Sequence, residues 1–218
     1  MHKIWISLFL FFGSLFGQEG HFTPEAALKK LKEGNLRYAN DELLHPRRDL
    51  VRRELTFSRQ EPFAIILACS DSRVSPEILF DQGIGDLFIV RVAGNVVGPV
   101  ELDSIEYAAL YLHSSLIVVL GHENCGAVEA VLKGKTKDIE TIAALIEPAI
   151  KQSAVEQGNR LENAIKDNVE NVVSSLKSSP PLSRLISEKK LQVVGGYYNL
   201  RTGIVSFLKD FSSESKSG

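Results

Sequence analysis

Cysteine is scarce in this chain: Cys69 and Cys125 are the only two in 218 residues. A surplus of either charge is missing too, the formal net charge being −2, which gives no reason to expect nucleic acid or an anionic membrane as partner. No segment recurs at a fixed period, so a solenoid is not indicated. The apolar run at the start, Ile4 to Phe16, is shorter than the ~20 residues a helix needs to cross a bilayer. No cysteine follows that run, so a lipoprotein anchor is not indicated either. What is present is an ordinary globular composition, 44% hydrophobic and 24% charged, in a length that suits one domain with a core.

The opening stretch MHKIWISLFLFFGSLFGQEG has one lysine, the apolar run, then Gly17 and polar Gln18 and Glu19. That layout predicts a secretory signal, residues 1–17, cleaved near Gly17 and directing the protein to the periplasm or the medium, with no lasting membrane anchor. The alternative is an uncleaved helix lying on a membrane or packing on the domain. Residues 18–218 then form a single catalytic-type domain with no internal linker. From about residue 211 the polar tail frays.

Thr23–Pro24 predicts a helix start, with Ala27, Leu28, Leu31 and Tyr38 as its apolar stripe. RRDLVRRELTFSRQ reads as a second helix, ending before Pro62. Three β-branched apolar runs follow, Phe63–Cys69, Leu87–Ala93 and Leu116–Gly121, and continuous runs of this kind suit parallel strands covered on both faces. Helical segments separate them: Pro76 to Phe80, Val100–Ser114, and CGAVEAVLKG directly after the third strand. Helices over Ile139–Gln157 and Arg160–Ser178, a short helix to Lys190, and a strand pair turning at Arg201–Gly203 complete the chain. The expected class is α/β, a mostly parallel central sheet flanked by helices, with an N-terminal helical arm.

In such sheets ligands gather at the carboxyl ends of the strands. The first and third strands end in CSDSR and GHENCG, which brings Cys69, Asp71, His122 and Cys125 to one edge. Two thiols, an imidazole and a carboxylate suit zinc. Singly each is weak, since a lone cysteine ending a buried strand is more often a core residue. Together they use every cysteine in the chain.

CSDSRV, GDLFIVRVAGN, SIEYAALYL and VVLGHENCGAV, in this order, resemble the β-class carbonic anhydrases, and the similarity runs from about Phe22 to about Leu208. The resemblance implies one Zn2+ per subunit on Cys69, His122 and Cys125, with water, hydroxide or Asp71 in the fourth position. It implies reversible hydration of CO2 to bicarbonate and a proton by zinc-bound hydroxide, and an Asp71–Arg73 dyad in which Arg73 restrains Asp71 and Asp71 orients the nucleophile. By position it also implies a substrate pocket of Gln60, Phe88, Ala93, Tyr107 and the Gly126 amide, partly supplied by a partner subunit, hence a homodimer or higher homo-oligomer. Singly, Phe88 and Tyr107 read equally as core or interface residues. Ile66 stands where some members carry a tryptophan of an inhibitory bicarbonate site, so the open, non-allosteric type is expected. Glu123 reads as solvent-facing charge at a helix start. His21, His45 and His113 are available as proton relays but read first as surface or packing residues. Two rivals stand beside this: a carbon disulfide or carbonyl sulfide hydrolase on the same scaffold, and a non-catalytic binding protein with a Cys69–Cys125 disulfide.

Overall fold

A computed structural model describes residues 22–208; the segment read as a signal, His21 and the polar tail lie outside the described residues. Helix α1 is Pro24–Ala39. It starts where Thr23 Oγ1 accepts the Ala26 amide at 3.2 Å and Pro24 fills the first turn. Helix α2, Leu50–Thr56, is shorter than the sequence predicts and buries none of its residues. Its apolar side chains Leu50, Val51 and Leu55 all face outward, as does Phe57 behind it.

Strands β1 (Ala64–Ala68), β2 (Leu87–Arg91), β3 (Leu116–His122), β4 (Gln192–Tyr198) and β5 (Val205–Phe207) form one sheet in the order β2-β1-β3-β4-β5. The first four in that order are parallel and β5 runs antiparallel to β4. Between the strands lie α3 (Pro76–Leu79), α4 (Pro99–Leu110), α5 (Gly126–Leu132), α6 (Glu140–Gln152), α7 (Arg160–Ser178) and α8 (Pro180–Ser187). The helix expected to reach residue 157 ends as α6 and a 3-10 turn, Ser153–Val155.

Alternation along β1 and β3 builds two cores. Ala64, Ile66, Leu116, Val118 and Leu120 face α1 and α3, while Ile65, Leu67, Ile117 and Val119 face α4 and α7. Both strands are buried throughout, as their unbroken apolar runs require. β2 differs: it is the sheet edge and only half-buried from Leu87 to Val90, although those four residues are as apolar as β1.

The strand order fixes where a site can form. From β1 the chain crosses to β2 on one side, and from β3 it crosses to β4 on the other. The connections therefore diverge between β1 and β3 and leave a crevice beyond the carboxyl ends of those two strands.

Candidate metal centre

Cys69 follows directly on β1, and His122 is the last residue of β3. Ala68 pairs with Leu120, so the two side chains arise one and two residues beyond a shared rung. Cys125 caps α5, three residues after His122, across a bend in which Asn124 has φ 52. Crowding by α7 brings that helix close: a Cβ at Gly121 would meet Val169 Cγ2 at 2.6 Å, so only glycine permits the approach just before His122.

All three residues are buried, and one donor atom from each lies within 4.8 Å of the other two. The sulfurs are 4.0 Å apart. That is close to the ~3.8 Å edge of a tetrahedron with Zn–S bonds of ~2.3 Å, and far from the ~2.05 Å of a disulfide. Nδ1 of His122 lies 2.9 Å from the Glu123 carbonyl, to which it donates, leaving Nε2 as the acceptor. Nε2 is buried with no hydrogen-bond partner. An orphaned lone pair beside two thiols is costly unless a cation takes it up, so the donor set fits a thiolate-seeking divalent metal such as zinc.

Electrostatics agree. The Cys125 thiol lowers the Cys69 pKa, against the cost of burial, helped by His122 and the Gly94 amide. The same neighbour relation, with burial, pushes Cys125 well up. A divalent ion bound here would favour the thiolate form of both.

Asp71 and Arg73 stand at the mouth. Arg73 Nε and Nη2 donate to the two carboxylate oxygens of Asp71 at 2.9 and 2.7 Å, and the Arg73 amide donates to Oδ1 at 2.9 Å. This bidentate grip holds the Asp71 carboxyl well below the usual carboxylate range. Asp71 Oδ2 is 3.8 Å from His122 Nε2, so a carboxylate oxygen stands beside the three donor residues.

Ala93 opens a 3-10 turn, Ala93–Asn95, whose Gly94 amide donates to Cys69 Sγ at 3.3 Å. Gly126 is exposed as the first residue of α5. Gln60, Phe88 and Tyr107 stand elsewhere in the chain. Gln60 is exposed before β1, so the strand's length of about 17 Å separates it from Cys69. Phe88 and Tyr107 pack on each other with ring centroids 6.3 Å apart, and Tyr107 stacks on Tyr111 at 5.6 Å. Ile66 is a core residue of β1. His113 precedes β3 at the sheet edge opposite the metal ligands, and His45 is exposed on the segment between α1 and α2.

Two features of the site leave no mark in the sequence. Glu123 is half-buried rather than simply solvent-facing: its carboxylate accepts the Leu200 amide at 3.2 Å and its amide donates to Tyr198 O at 2.8 Å, tying the metal loop to the end of β4. Arg91, at the end of β2, donates to Cys69 O at 3.1 Å and to Asp71 O at 2.7 Å, bracing the segment that carries ligand and dyad.

An open α/β sheet carries at its switch point a Cys-His-Cys cluster that could hold a metal ion, flanked by an arginine-restrained aspartate. The family model for carbonic anhydrase matches residues 64–205, and the chain belongs to that family, in its β class. It is 38% identical over 189 residues to a carbonic anhydrase of Mycolicibacterium smegmatis, covering 84% of this chain and 92% of that one. To carbonic anhydrase 2 of Mycobacterium tuberculosis it is 37% identical over 187 residues, covering 83% and 90%. Among solved structures, a Coccomyxa β-carbonic anhydrase in complex with acetazolamide aligns with a TM-score of 0.67 at 27% identity, covering 83% and 86%. A β-carbonic anhydrase of Aspergillus fumigatus aligns with a TM-score of 0.66, also at 27% identity, over 85% and 90%. The protein is accordingly a carbonic anhydrase, a lyase supporting CO2 hydration.

Proposed function

We propose that the protein is a zinc-dependent enzyme for the reversible hydration of CO2, with Cys69, His122 and Cys125 as metal ligands. The observation that carries this is the unpartnered Nε2 of His122, buried beside two thiols 4.0 Å apart. Bound there, zinc supplies an acidified water and hence a nucleophile at neutral pH. The chain's own residues do the rest. Arg73 keeps the Asp71 carboxylate ionised and ties up both of its oxygens, so that it stands beside the three donor atoms without joining them. Asp71 accepts a hydrogen from the attacking water and so directs its lone pair towards the carbon of CO2. The Gly126 amide, one of the unpaired donors at the start of α5, receives a substrate oxygen. Ala93 adds apolar surface beside the ligands.

Gln60, Phe88 and Tyr107 complete the pocket from a partner subunit in this reading. Within one chain Gln60 lies a strand's length away, while Tyr107 and Tyr111 are 46% and 72% exposed beside the half-buried edge strand. Aromatic surface of that extent, together with the outward apolar side chains of α2, marks a protein interface. The protein is expected to sediment at the mass of two chains or more. A single-chain species with full activity would refute the shared site.

Activity is tested by stopped-flow CO2 hydration on protein lacking residues 1–17, beside assays of sulfide release from carbonyl sulfide and carbon disulfide. Hydration without sulfide release is the expected pattern; sulfide release alone would favour the hydrolase reading. Ile66, a core residue here, leaves the site without the tryptophan that some relatives use to bind inhibitory bicarbonate, and hydration is expected to follow simple saturation kinetics. We also propose export, since residues 1–17 have the order of a secretory signal. Intact mass of the protein recovered from its producing cells should correspond to a start near Gln18. Retention of Met1 would contradict it.

A further inference from the structure

Behind Cys69 a short relay of hydrogen bonds leads away from the metal position to a residue that touches neither metal nor substrate. The relay ends on Asn168, in the middle of α7 and 1% exposed. Its Nδ2 donates to the Gly94 carbonyl at 2.8 Å. The amide of that same Gly94 donates to Cys69 Sγ at 3.3 Å.

Gly94 has φ 74 and ψ 14, a conformation that side-chain-bearing residues rarely adopt. A Cβ there would meet Ile146 Cδ1 at 2.7 Å. The turn is therefore pressed from one side by α6 and gripped at its carbonyl by α7. The local sequence makes the grip conspicuous: Asn168 adjoins the stripe Ile165, Val169, Val172 and Leu176, all buried. An apolar residue would pack there without the desolvation cost of an amide, so the amide is favoured by what it holds.

We infer that Asn168 is a positioning residue for the metal site, fixing the 93–95 turn so that the Gly94 N–H points at the Cys69 sulfur. An N–H directed at a thiolate draws electron density from it and stabilises the anion, and partners behind a first ligand typically change metal affinity by about 10–100-fold. The assignment rests on the zinc reading above, and the experiment separates the two.

The test uses Asn168→Ala and Asn168→Asp, which remove the donor, in the full chain. Zinc affinity is measured by competition with a chromophoric chelator, and the thiolate-to-metal charge-transfer band is recorded after loading with Co2+. Both variants are expected to fold, to bind zinc about tenfold or more weakly, and to shift the cobalt band to lower energy, because the thiolate becomes more electron-rich. Asn35→Ala serves as control. Asn35 is equally buried and bonds Leu79 O, Gly203 O and Val205 N, so its loss weakens the fold without touching the metal ligands. In that variant melting should fall while zinc affinity and the cobalt band stay at wild-type values.

Folded Asn168 variants with zinc affinity within about twofold of wild type and an unmoved band would overturn the inference. So would failure of both variants to fold, since the residue would then hold the fold rather than the metal site. Wild-type protein that binds neither zinc nor cobalt would instead defeat the zinc reading itself.

Discussion

Cys125→Ser is expected to lose zinc outright and to lower CO2 hydration by roughly 10³-fold or more, because an acidified water is the source of nucleophile at neutral pH. Serine nearly matches cysteine in size but does not ionise near neutrality, so the site would keep one thiolate and one imidazole. Two ligands fall short of the three protein ligands that catalytic zinc sites use. The fold should survive. Cys125 packs among Val96, Val128 and Ile146 at the margin of the sheet, and exchanging sulfur for oxygen leaves only a small void. Metal analysis, far-UV circular dichroism and stopped-flow hydration on the same sample separate the outcomes. A folded variant retaining both zinc and rate would remove Cys125 from the ligand set.

Arg73→Ala should do the reverse with the metal: zinc stays while turnover falls about a hundredfold, the scale on which a positioned proton-handling group acts. Wild-type Asp71 is held by two charge-assisted bonds from Arg73, and Oδ2 rests 3.8 Å from His122 Nε2. Released, the carboxylate is free to swing into the position that water must occupy. The pH dependence has a definite sign. Because Arg73 depresses the folded-state pKa of Asp71, the pair's contribution to stability is complete above the unfolded value of ~3.9 and is lost as pH falls through the lower folded value. The stability difference between wild type and Arg73→Ala should therefore be level from pH 8 to about 5 and shrink only in stronger acid. Undiminished turnover in the variant would show that the dyad is an ordinary ion pair.

Sequence and structure part company at identifiable places. Unbroken apolar runs make β1 and β3 readable as buried parallel strands, and the rule that ligands gather at strand ends then brings Cys69 and His122 together from the sequence alone. Thr23 and Pro24 marked the start of α1 because capping is a local interaction, and local interactions are written in neighbouring residues. Arg91 apart, β2 is as apolar as β1 yet is a half-exposed edge, since strand order depends on crossovers that periodicity does not encode. Arg91 and Asn168 were invisible for a related reason. Their partners are backbone carbonyls, Cys69 O and Asp71 O for one and Gly94 O for the other, and a carbonyl leaves no signature in the sequence. The place of Glu123 before a helix predicts a solvent-facing charge, whereas its carboxylate is engaged 77 positions further on, at the Leu200 amide.

X-ray absorption at the zinc edge of the purified, active protein tests the central claim most directly. Two sulfur neighbours at ~2.3 Å, one imidazole nitrogen at ~2.0–2.1 Å and one light oxygen donor, with one zinc per chain, are the predicted result. Active protein without zinc, or zinc surrounded only by nitrogen and oxygen, would contradict it.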